Sequence, residues 1–106
     1  MRRSKLILRK ARRIKGWCSG PELRWLASNA RESKFTVEVG VFAGRSLRAI
    51  CDNTRGLVVG VDHWSGKSTS PILKGMLGRR RRRKTFLAQT KHNLSDMLRI
   101  GRLVIL

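Results

Sequence analysis

The chain has 106 residues, 41% of them apolar, and carries 25 Lys and Arg against 6 Asp and Glu for a formal charge of +19. That length allows one small domain with a modest core, and the apolar share excludes disorder throughout. A cationic excess this large favours contact with nucleic acid or other polyanions, without by itself assigning a function.

The charge is concentrated. Residues 1–20 hold eight cations and no acid, residues 66–91 hold nine and no acid, and the remainder is close to balance. No apolar run approaches the roughly 18 residues that span a bilayer. The apolar core Leu6-Ile7-Leu8 is also shorter than the about 7–15 residues of a secretion signal. Cys18 and Cys51 lie far apart without metal spacing, so no metal site is expected and a reducing cytoplasm fits. Cys51 shares a helical face with Leu47 and Ile50, the pattern of a buried free thiol.

In chain order, residues 1–19 read as a basic tail, with a thin apolar stripe at Leu6, Ile7, Ala11 and Ile14. Such a stretch is either solvated ahead of the fold or a basic helix on an anionic surface. Ser19-Gly20-Pro21-Glu22 then opens a helix, with proline at the first helical position and an acid at the positive end. Its stripe Leu23, Leu26, Ala27, Ala30 runs to about Ser33.

Phe35 to Gly40 reads as the first strand, apolar apart from Thr36 and Glu38, the composition of a central strand covered by helices on both faces. Glu38 stands at the carboxyl end, where open α/β sheets place their ligands. Gly40 and Gly44 provide a turn with backbone freedom, leading into a helix from about Gly44 to Asp52. Such a turn offers free N–H groups and a positive helix end. Asn53-Thr54-Arg55-Gly56 turns the chain into a second strand, Leu57 to Asp62. A right-handed crossover sets the two strands parallel, with both carboxyl ends on one edge. There Asp62 can accept hydrogen bonds from two ribose hydroxyls.

After Asp62, Trp64 is either a wall of the site or an ordinary buried aromatic, and His63 reads as a surface residue before it reads as a base. Gly60 to Ser68 imitates a phosphate-binding loop but has five residues between its glycines where that loop needs four. Residues 65–78 read as a loop. The run Arg79-Arg80-Arg81-Arg82-Arg83-Lys84 is either a solvated insertion or a non-specific phosphate contact, because arginines on a backbone read no base sequence. A helix is expected from about Thr85, with Phe86, Leu87, Leu94, Met97 and Leu98 on its apolar face, closed by Ile100-Gly101. Arg102 to Leu106 reads as a third strand.

Two of these stretches, Glu38-x-Gly40-x-x-x-Gly44-x-Ser46 and Val61-Asp62-His63-Trp64-Ser65-Gly66, resemble the first two motifs of class I S-adenosylmethionine-dependent methyltransferases. The likeness is to the bacterial and phage branch whose second strand ends Val-Asp-x-Trp-x-Gly. Phe86-Leu87-x-x-Thr90-x-x-Asn93-Leu94, leading to Gly101-Arg102-Leu103-Val104, is similar to that branch's third helix and strand. The resemblance covers residues 20–106 and implies a Rossmann-like three-layer α/β sandwich, here truncated to a three-stranded parallel sheet in order 3-2-1 with flanking helices. It implies S-adenosylmethionine as cofactor, held by Glu38, Gly40, Val41, Phe42, Gly44, Ser46, Asp62, His63 and Trp64. It also implies that the elements binding the methyl acceptor follow the third strand, so the acceptor and the catalytic residues stay unassigned. With no fourth strand beside it, the first strand is expected to expose an apolar edge open to self-association. The alternative is a small basic nucleic-acid-binding protein without catalytic activity, using the same α/β scaffold.

Overall fold

The computed structural model describes residues 4–64 and 83–106. Its elements are α1 (Arg9–Arg13), α2 (Gly20–Ala30), β1 (Phe35–Val39), α3 (Arg45–Asn53), β2 (Leu57–Val61), α4 (Arg83–Asn93), α5 (Ser95–Arg99) and β3 (Leu103–Ile105). The three strands are all parallel and, listed from the β1 edge, run β1-β2-β3, the reverse listing of 3-2-1. This is an α/β fold: a three-stranded parallel sheet with flanking helices.

The helix starts follow local chemistry. Ser19 caps α2 through a reciprocal capping box with Glu22, and Pro21 sits in the first turn where its missing N–H costs nothing. Leu94 breaks the last helical stretch in two, so the single helix expected after Thr85 is α4 followed by the one-turn α5.

One sheet face carries the core. Val58 and Leu103 turn toward the helices and pack with Leu47, Ile50 and Cys51 of α3, Ala30 of α2 and Leu94, all buried. Each fully buried leucine here contributes about 1.5–3 kcal/mol over its exposed state. Cys51 is a free, buried thiol, pushed up to about 12 by its burial.

The other face is open, and this corrects the double-sided burial expected for the first strand. The pairings Phe35↔Leu57, Val37↔Val59 and Val59↔Val104 place these residues on one side. Phe35, Val37 and Val39 remain 59%, 50% and 80% exposed. Thr36 and Glu38 are the β1 residues that face the helices instead. Period-two alternation divides the apolar residues of β1 from its polar ones, and every described helix packs on the polar side. The described residues therefore form two layers, not the three that the resemblance implies.

The basic N-terminal stretch is not a solvated tail over its described length. Leu8, Ala11 and Ile14 are buried, and Leu8 and Ala11 join Leu23, Ala27 and Ala49 in a second apolar cluster. Asn53 clamps the approach to α1 by accepting from Ile7 N at 2.8 Å and donating Nδ2 to Ile7 O at 2.7 Å. Arg45 takes the far end, donating Nη1 to Arg12 O at 3.0 Å and Ile14 O at 2.9 Å and Nε to Cys18 O at 2.7 Å. Orphan carbonyls after a short helix are thus satisfied by a guanidinium from another element.

Arg48 joins the last helices to α3. It is 2% exposed, yet it donates Nε and Nη2 to Asp52 at 2.9 and 2.7 Å, Nη2 to Asp96 at 2.7 Å and Nη1 to Asn93 O at 3.1 Å. A buried guanidinium is tolerated only when its donors are matched in this way.

Candidate functional site

The site starts where β1 ends. Gly40 has φ +85° and a Cβ added to it would meet no atom within 4 Å, so its outer side is open. Gly44, with φ +97°, is the N-cap of α3, and a Cβ there would lie 2.8 Å from Leu94 Cδ1. Glycine is required at 44 by both dihedral and space.

Between them the chain passes through Phe42 at φ +57°, a left-handed conformation that costs a bulky residue about 1–3 kcal/mol. Four contacts hold it. Asp62 Oδ2 accepts from Val41 N at 2.8 Å and Phe42 N at 3.0 Å. Thr90 Oγ1 donates to Phe42 O at 2.8 Å and Asn93 Nδ2 donates to Ala43 O at 3.0 Å. The Phe42 ring lies between Trp17 and Phe86, with centroids at 5.4 and 5.0 Å. Trp64, also left-handed at φ +58°, gives its N–H to Asp62 Oδ1 at 2.9 Å.

Asp62 therefore accepts three backbone N–H bonds. Burial pushes its carboxyl upward, but the donors Phe42, Trp64 and Val41 outweigh burial and hold it below the ordinary value, so it is anionic at neutral pH. His63 is 68% exposed, with Nδ1 3.6 Å from Asp62 Oδ1.

Glu38 is the second carboxyl. Its Oε1 accepts from Ser46 Oγ in the first turn of α3, while the buried Oε2 has no hydrogen-bond partner among the described residues. Burial pushes this carboxyl up to about 7, against the opposing Ser46 bond and with help from the Asp62 charge. Beside the turn lies a cavity of about 140 Å³, walled by Trp17, Arg45 and Ser46 together with Gly40 and Phe42.

Of the nine residues expected to hold a cofactor, Glu38, Gly40, Val41, Phe42, Gly44, Ser46 and Asp62 converge on one edge of the sheet. Trp64 is half-buried against the core, donating Nε1 to Leu106 O at 3.1 Å, and His63 points to solvent. Arg79 to Arg82 and residues 65–78 lie outside the described residues, while Arg83 and Lys84 form the first turn of α4. Among the described residues no three His, Cys, Asp or Glu side chains gather as a metal site, and no described helix is long and apolar enough to cross a membrane.

Sequence reasoning did not identify Arg45, Arg48 or Trp17. The signal for Arg48 was present: an arginine amid Leu47, Ile50 and Cys51 with an acid four residues on. Arg45 and Trp17 touch only residues distant in sequence, and nothing local marks them. Thr90 and Asn93, singled out by the third-helix motif, prove to be the side chains that hold the glycine turn.

As a test of fit to an adenosyl cofactor, Gly40's open side offers a contact surface, whereas Glu38 Oε2 is buried behind the cavity wall formed by Ser46. The cavity is smaller than the roughly 300–1,000 Å³ of sites for ligands of that size, and the Asp62 oxygens already serve the turn. The cradle thus fits one end of such a ligand as it stands. Accommodating the rest requires Trp17 or the Asp62-bound turn to move. No protein-family model matches the chain, and no curated protein matches it.

Proposed function

We propose that this chain is the cofactor-binding part of a class I S-adenosylmethionine-dependent methyltransferase with a Rossmann-like sheet. One observation carries the reading: the acid ending β2 lies within a hydrogen bond of the glycine turn ending β1, at the carboxyl edge of a parallel sheet. That edge is where open α/β sheets bind nucleotides. When bound, the cofactor supplies an electrophilic methyl group. The chain's own part is positioning, which dominates such transfers. Glu38, with one oxygen on Ser46 and the other without a partner among the described residues, would support the cationic portion from behind the turn, and Gly40 would allow backbone approach.

Calorimetry with S-adenosylmethionine and with its demethylated product tests this. Gly40→Ala is expected to weaken binding at least tenfold, because its methyl enters the open side, while the left-handed strain costs only about 1–2 kcal/mol of stability. Asp62→Ala is expected to abolish binding. Absence of binding by the native chain at millimolar cofactor, or undiminished affinity in Gly40→Ala, would sink the proposal. Affinity for the cationic ligand is further expected to rise with pH through about 7, as Glu38 loses its proton, and Glu38→Gln is expected to flatten that rise.

Self-association through β1 belongs to the same reading. Among the described residues the strand pairs only with β2, and its open face shows Phe35, Val37 and Val39. Sedimentation velocity is expected to show dimers or larger species for the native chain and monomers for Val37→Lys/Val39→Lys. A native monomer at high protein concentration would refute it. The second reading, a non-catalytic nucleic-acid-binding protein, is favoured by the charge of +19. Salt-sensitive nucleic-acid binding without any cofactor binding would select it.

A further inference from the structure

A second concave site lies away from the glycine turn and is independent of the cofactor reading. A groove of about 790 Å³ runs between the N-terminal stretch and the start of α2. Arg9, Arg12 and Arg13 of α1 and Arg24 of α2 line it, above a floor that includes Leu6 and Ile7. Among the described residues none of these four arginines makes an ion pair. No acid among the described residues lines the groove, and Glu22 is bonded to Ser19, Asp52 to Arg48, and Asp96 to Arg48 and Lys10. The groove is held in shape, since Asn53 pins Ile7 on both sides and Arg45 ties down the carbonyl end of α1. Ile7, in the groove floor, is 56% exposed.

We propose that this groove binds single-stranded nucleic acid, its four arginines on successive phosphates. Guanidiniums without an ion pair on a concave surface track a phosphate backbone without reading its sequence. A duplex major groove suits this site poorly, because α1 has only five residues and packs its inner side into the core. An anionic membrane suits it no better. The apolar side of α1, Leu8 and Ala11 with Ile14 just beyond, is already buried and offers no free face to insert.

The test is fluorescence anisotropy of a labelled oligothymidylate of about ten nucleotides, titrated with the full chain across a series of sodium chloride concentrations. Four phosphate contacts predict a log–log salt slope on the order of −3 for a single strand. Arg12→Ser/Arg13→Ser/Arg24→Ser, all exposed positions, is expected to keep the native melting temperature, weaken binding about thirtyfold or more at low salt, and reduce the slope to about −1. The proposal is overturned if the native chain binds no single strand, if the triple variant keeps native affinity and slope, or if a duplex or vesicles of phosphatidylserine and phosphatidylcholine are bound in preference.

Discussion

Arg48→Met is expected to destabilise this protein more than the loss of any other ion pair among the described residues. The methionine keeps much of the arginine stem volume but leaves Asp52 and Asp96 without their shared cation and Asn93 O without a donor. Removing one partner of a buried pair typically costs about 3–5 kcal/mol. Asp96 is 35% exposed and regains some water, which puts the loss near the lower end. In a domain of this size that lowers the melting temperature by more than about 10 °C, read by circular dichroism. A change of only a degree or two would show that the network contributes nothing net.

The same network sets an acid limb. The Arg48 bond holds the Asp96 carboxyl well below the ordinary carboxylate range despite partial burial. A folded value below the unfolded one means the stabilisation is present above the unfolded value of 3.8 and is lost as pH falls through the folded one. Native stability is therefore expected to decline in strong acid, and Arg48→Met is expected to lose that decline along with the stability.

Glu38→Gln is expected to act in the opposite sense, raising stability at alkaline pH. The native carboxyl is pushed from 4.5 in the unfolded chain to about 7 in the fold by burial. Between those values the folded chain holds a proton that the unfolded chain has released, so stability falls as pH rises through this window. Above about 7 the full penalty is in place, of the order of 2–4 kcal/mol. Glutamine carries no charge to desolvate, keeps an acceptor for Ser46, and places an amide at the orphan Oε2 position. Urea denaturation across pH is expected to show a falling native curve and a flat Glu38→Gln curve between about 4.5 and 7. Parallel curves would mean that Glu38 is solvated and titrates normally. A destabilised acid kept at the edge of a candidate ligand site accords with stability being sacrificed where binding takes place.

Much of the frame was legible in the amino-acid order alone. Short apolar runs bounded by turn residues located β1, β2 and β3, the helix start Ser19-Gly20-Pro21-Glu22 located α2, and glycine at 40 and 44 located the turn. These are local signals, settled by residues within a few positions of one another. The convergence of Asp62 on that turn followed from one topological rule, the right-handed crossover.

Tertiary structure alone decided the rest, because each remaining feature joins residues tens of positions apart. Whether Leu8 and Ala11 belonged to a tail or to the core depended on α2 and α3 offering Leu23, Ala27 and Ala49 to cover them. Whether Asp62 faced a ligand or its own turn depended on how close Val41 N and Phe42 N came. The open side of β1 was decided in the same way: alternation divides its residues between two faces, but only the packing of helices determines which face is buried. A pattern of residues specifies what a surface would gain by burial, and the fold specifies whether anything is there to bury it.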